Sequence, residues 1–61
     1  MNIYRVYVRG EGEAEFEFCD IFPGETEDDA KLAAVIDAGH LTTVAEYERK
    51  HECKIKCEKI D

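Results

Sequence analysis

The sequence predicts an α+β fold in which a three-stranded antiparallel sheet of spatial order 2-1-3 carries one helix on one face, in the chain order ββαβ. Three observations carry this expectation. Residues 3–9 and 13–18 alternate with a period of two and are joined by Gly10-Glu11-Gly12, residues 26–38 have the composition and ends of a helix, and residues 51–58 alternate again. A helix between the second and third strands makes a right-handed crossover, and landing the third strand beside the first puts the most apolar strand at the centre. The Glu-rich second and Lys-rich third strands are then edges, where charge discourages sheet-to-sheet aggregation.

The first strand puts Tyr4, Val6 and Val8 on one face and Ile3, Arg5, Tyr7 and Arg9 on the other. In the second, Ala14, Phe16 and Phe18 go with the apolar set, and Glu13, Glu15 and Glu17 with the charged one. A one-residue slip would turn an apolar face to water, so opposed residues share parity: Arg9 faces Glu13, Val8 faces Ala14, Val6 faces Phe16 and Arg5 faces Glu17. That leaves a three-residue loop with Gly12 at its positive-φ position. The alternation runs on through Cys19, Asp20, Ile21 and Phe22 and ends at Pro23-Gly24, a strong turn signal.

Thr26 can cap a helix, Asp29 stands at the capping-box position, and Glu27, Asp28 and Asp29 suit the positive end of the helix dipole. The helix runs to about Ala38, and Gly39 suits the left-handed position beyond it. Leu32, Val35 and Ile36, flanked by Ala33, form the stripe expected on the hairpin, with Ala30, Ala34 and Ala38 repeating at four-residue spacing on the opposite side, a pattern that admits close approach of another backbone but is first explained by alanine being the best helix former. Thr43-Val44-Ala45-Glu46 fits a capping box, with Val44, Tyr47 and His51 on one side, so the sequence admits a short second helix before the last strand. Ala45, Tyr47 and Arg49 also alternate, which leaves an extended segment as the competing reading. From His51 the period of two is clear, with His51, Cys53, Ile55 and Cys57 interleaving with Glu52, Lys54, Lys56 and Glu58.

Sixty-one residues make a single domain over 1–61, with a small core and shallow pockets. A hydrophobic fraction of 44% and a single proline set the chain apart from disordered sequences of similar charge. There is no secretory leader and no apolar run of the roughly 20 residues a membrane span needs, which points to the cytoplasm. Three cysteines, Cys19, Cys53 and Cys57, are an odd number without a secretory signal, so reduced thiols are expected.

Cys19, Cys53, Cys57, His40 and His51 are the residue types of a zinc site, but two cysteines four apart on a strand stand roughly 13 Å from each other, too far to share a metal. Cys–His catalysis needs a thiolate beside a base in a cleft, and here both residue types fall on a face destined for the helix. None of the 15 carboxylates is singled out by an apolar setting, and no Gly-rich phosphate loop is present. The sequence therefore predicts no enzyme, no metal and no cofactor.

The net charge of −7 opposes phosphates and anionic membranes and favours basic protein surfaces, so no direct nucleic acid binding and no membrane are expected. The charge is also blocked. Between Gly10 and Ala30 lie nine acids (Glu11, Glu13, Glu15, Glu17, Asp20, Glu25, Glu27, Asp28 and Asp29) and no Lys or Arg. Glu13, Glu15 and Glu17 at about 6.6 Å spacing make a ladder half as dense as the phosphates of one DNA strand, a partial nucleic-acid mimic. Tyr7, exposed between Arg5 and Arg9, is an amphipathic anchor of the kind enriched at interfaces. The expected partner-binding residues are thus Arg5, Tyr7, Glu11, Glu13, Glu15, Glu17, Asp28 and Asp29.

In the order of its elements, with residues 4–8, residues 13–18 and the Asp29-Ala30 helix start as matching features, the chain resembles small hairpin-helix-strand proteins of phages and mobile elements. Some of these inhibit host defence complexes. The resemblance implies a phage-type inhibitor of host defence, as anti-CRISPR or anti-restriction proteins are, in the host cytoplasm. With the acidic block and Tyr7, the expectation is a small acidic interaction protein, monomer or weak homodimer, that covers a basic surface of a nucleic-acid-handling complex and blocks its binding channel. Two other classes remain open: a redox or metal-responsive domain using Cys19, Cys53 and Cys57, and a module that dimerises through an edge strand.

Overall fold

The computed structural model describes residues 1–60 as strands β1 (Asn2–Gly10) and β2 (Glu17–Gly24), helices α1 (Glu27–Asp37) and α2 (Val44–His51), and strand β3 (Cys53–Lys59). The sheet is antiparallel with β1 between β2 and β3, and the fold is α+β. Residues 44–51 are helical, which resolves the choice between a short helix and an extended segment.

The strand-two expectation is corrected. Residues 11–16 form an irregular connection in place of a three-residue loop, and β2 begins only at Glu17. Gly12 does hold a positive φ of 88°. Pairing runs Val8 with Glu17 and Tyr7 with Phe18, then resumes at Val6 with Asp20 and Tyr4 with Phe22, so Cys19 is the extra residue of a β-bulge. A bulge puts two residues opposite one and switches which face the following residues occupy. Phe22 therefore points under the helix with Tyr4, whereas Phe18 lies with Tyr7 on the open face. None of the four expected opposed pairs forms, and Phe16 and Phe18 leave the core.

Thr26 caps α1 by accepting a hydrogen bond from the Asp29 N–H (3.3 Å), and Thr43 caps α2 through the Glu46 N–H (3.1 Å). Gly39, at φ 93°, ends α1, with its N–H on the Ile36 carbonyl and that of His40 on the Val35 carbonyl. The side of α1 that meets the sheet is also corrected. Ala30, Ala34 and Val35 are buried, while Leu32 and Ile36 are exposed, Ile36 by 50%. Small residues win that face because the helix lies close to the sheet: a Cβ on Gly24 would stand 2.8 Å from the Ala30 nitrogen. The core is Tyr4, Val6, Ala30, Ala34, Val35 and Ile55, with Val8, Phe22, Val44, Tyr47 and Cys57 packed around it. Val6 and Val35 are fully enclosed, each worth about 1.5–3 kcal/mol by burial. Both helices contact β3, so the helical layer covers one face of the sheet and leaves the other to solvent.

Candidate partner-binding surfaces

The acidic block is wholly solvated. Glu11, Glu13, Glu15, Glu17, Asp20, Glu25, Glu27, Asp28 and Asp29 are all exposed. None of them forms an ion pair among the described residues, where the salt bridges are Arg5–Glu58 (3.4 Å) and Arg49–Glu46. The expected Arg5–Glu17 and Arg9–Glu13 pairings are thus replaced. Arg5 reaches across to β3, and Arg9 donates to the Glu13 backbone carbonyl (3.3 Å) and not to its carboxylate. The ladder of three glutamates on one strand face is corrected as well: Glu13 and Glu15 lie in the connection, and Glu17 opens β2 opposite Val8. Glu13 Oε1 accepts from the Gly10 N–H at 2.6 Å, which turns the connection back on the end of β1. Asp28 and Asp29 sit in the first turn of α1, where the helix dipole favours them.

Arg5 and Tyr7 belong to a different surface, the open face of the sheet. Pairing across β1 and β3 sets Arg5 beside Glu58, Tyr7 beside Lys56 and Arg9 beside Lys54. The Tyr7 ring meets Phe18 edge-on at 5.8 Å, and Lys56 Nζ lies 5.3 Å from the centre of the Tyr7 ring and 4.7 Å from that of Phe16. The Arg9 guanidinium also lies over the Phe16 ring, 5.3 Å from its centre. Arg9, Phe16, Phe18, Lys54 and Lys56 are absent from the expected site. The lysines could have been found, because in a 2-1-3 antiparallel sheet they alternate away from Ile55 and so share a face with Arg5, Tyr7 and Arg9. The two phenylalanines could not, since the bulge that turns Phe18 outward has no marker in the alternation.

The thiols are dispersed. Cys19 is exposed at the bulge, and Cys53 and Cys57 are half-buried on the helix side of β3. Burial, and then the Glu48 carboxylate, pushes the Cys53 thiol up from its ordinary value of 9.0. Burial also leads for Cys57, raising it with help from Glu27 and Asp28 and against the lowering effect of Lys31. Both remain protonated at neutral pH and are poor nucleophiles. His51 ends α2 instead of opening the last strand, and its ring meets that of His40 edge-on (4.8 Å) and that of Tyr47 at a tilt (4.4 Å). No group of three His, Cys, Asp or Glu among the described residues could hold a metal ion. A cleft of about 600 Å³ opens at the end of the sheet between the Gly10–Gly12 turn and α2, with Arg9, Glu11, Glu48, Arg49, Cys53 and Lys54 in its lining. Three of these charges are already engaged, Arg9 by the Glu13 carbonyl, Arg49 by Glu46 and Glu48 by the Ile55 N–H (2.8 Å).

No helix of the described residues is long and apolar enough to cross a membrane. Comparison with known proteins finds no matching family model, no similar curated protein and no similar solved structure.

Proposed function

We propose that this chain is a small non-catalytic interaction protein that covers a basic surface on a larger partner. The partner fitting this reading is a nucleic-acid-handling complex whose binding channel is blocked, in the manner of a phage-encoded inhibitor of host defence acting in the host cytoplasm. One observation supports it above the others: nine exposed carboxylates on one continuous stretch of chain, with no cation among them and none engaged in an ion pair. A solvated anionic surface of this kind speeds encounter with a basic partner and suppresses wrong ones. It reaches over a Debye length of about 8 Å at physiological salt.

An edge-strand dimer is disfavoured by the edges themselves. On β3 the Ile55 N–H is taken by Glu48, and on β2 the Ile21 N–H is taken by Asp20 (2.7 Å), so each edge has a donor withdrawn from pairing with another strand. The test is capture from a host-cell lysate on the immobilised protein, identified by mass spectrometry and repeated across salt concentrations with a Glu13→Gln, Glu15→Gln, Glu17→Gln variant. The expected result is salt-sensitive capture of nucleic-acid-binding proteins that the variant loses. Capture unchanged by salt and by the triple substitution would leave the acids as a solubility device.

A further inference from the structure

We propose that the open face of the sheet is a platform for single-stranded nucleic acid, on which Arg9, Lys54 and Lys56 meet phosphates while Tyr7, Phe16 and Phe18 stack with bases. This goes beyond the acidic-surface reading and uses other residues.

The cations of this face are arranged against the interest of the fold. Arg9 and Lys54 stand directly opposite one another across β1 and β3, and like charges so placed weaken strand pairing. In a chain with 15 acids, neither they nor Lys56 is paired with a carboxylate among the described residues. Arg9 Nε is shielded from solvent and has no hydrogen-bond acceptor, an unmet demand that a stable fold normally avoids. An anion arriving at Arg9 and Lys54 would relieve their repulsion.

Charge alone does not choose between an acidic peptide and a nucleic acid. The rings do. Phe18 is 55% exposed and lies edge-on to Tyr7, and Phe16 sits beside them with Arg9 and Lys56 at its ring. A peptide carboxylate brings these rings no aromatic surface, whereas a single strand brings unpaired bases and phosphates together, and stacking on aromatic side chains is how such strands are held. Duplex DNA keeps its bases inside and could use only the cations.

The net charge of −7 is an average over the molecule. The open-face positions of β1 and β3 hold Arg5, Arg9, Lys54 and Lys56, half of the chain's eight Lys and Arg, against one acid, Glu58, which is bonded to Arg5. At physiological salt, charges farther than about 8 Å are largely screened, so a short strand on this face responds mainly to the local cations.

The experiment is fluorescence anisotropy with the full chain and a labelled oligothymidylate of about 12 nucleotides. A labelled duplex of the same length and a polyglutamate peptide serve as comparators. Saturable binding of the single strand is expected, weakening about 20-fold between 50 and 200 mM salt if three phosphates are neutralised. Phe18→Ala should weaken it by roughly 5- to 150-fold, the loss of one stacked base. Lys56→Gln should weaken it and flatten the salt dependence, with circular dichroism unchanged for both variants. Absence of saturable binding at 50 mM salt, equal affinity for the duplex or for polyglutamate, or indifference to both substitutions would overturn the proposal. Any of these would leave the acidic-surface reading standing, because Glu13, Glu15 and Glu17 are not involved.

Discussion

Glu52 closes α2 in the left-handed region, at φ 50° and ψ 53°, where a side chain crowds its own backbone and glycine is at ease. Replacing Glu52 by Gly should raise stability by about 0.5–1 kcal/mol, because relief of strain outweighs the added freedom of the unfolded chain. A urea midpoint that stays level or falls would show that the Glu52 side chain contributes more than its backbone costs. The raised thiols of Cys53 and Cys57 give a pH effect of definite sign. Their stabilising contribution is intact below about 9.0, where both states are protonated. Above it the unfolded chain releases protons that the folded one still holds, so stability falls as pH rises from there toward the folded values. Thermal midpoints between pH 8 and 10.5 should therefore drop more steeply for the native chain than for a Cys53→Ala, Cys57→Ala variant. Parallel curves would mean that these thiols titrate alike in both states.

At the scale of elements, which strands and helices exist was legible in the sequence, and which face two of them present was not. Thr26, Gly39 and Thr43 marked the helix boundaries through capping chemistry and lie where that chemistry requires, whereas Pro23 and Gly24 end β2 as its last paired residues, opposite Ile3 and Asn2, and not as a turn. The helix face was misread because hydrophobicity ranks Leu32 and Ile36 above Ala30 and Ala34, whereas the first turn of α1 lies so near Gly24 that Ala30 packs there, and Ala34 and Val35 follow on the same side. Ala34→Leu should thus cost about 1–3 kcal/mol by overpacking, and Ile36→Ala, at a half-exposed position, markedly less. The reverse order in chemical denaturation would restore the Leu32–Ile36 stripe as the packed side. The second strand was misread because alternation specifies a face only as far as the next bulge. Deleting Cys19 should leave Tyr7 opposite Phe18 and Val6 opposite Asp20 in a regular ladder, so that variant should unfold cooperatively near the native midpoint. Deleting Ile21 should turn Phe22 out of the core and lose most of the stability, and equal behaviour of the two deletions would refute the register.

For the molecule as a whole, the amount of charge could be read from the sequence, but its division between surfaces depended on the bulge and on strand order. The open face of β1 and β3 gathers four cations, while the acids of the β1–β2 connection and the start of α1 form no ion pair among the described residues. Such a chain repels itself along the acidic stretch, and salt should relieve the repulsion. Raising sodium chloride from about 10 mM to about 0.15 M shortens the Debye length from roughly 30 Å to 8 Å. The thermal midpoint should climb by several degrees over that range, since in a domain this small a few degrees correspond to less than about 1 kcal/mol. The two acidic clusters should then part company under neutralisation. Glu13, Glu15 and Glu17 make no ion pair, so changing all three to Gln should raise the low-salt midpoint and shrink the salt response. Glu27, Asp28 and Asp29 repel one another too, but they face the positive end of α1, so neutralising them should lower the midpoint or leave it level. A triple Glu13, Glu15, Glu17 variant with an unchanged salt response would mean that these acids are too dispersed to act as one surface, and the steering role assigned to them would go with it.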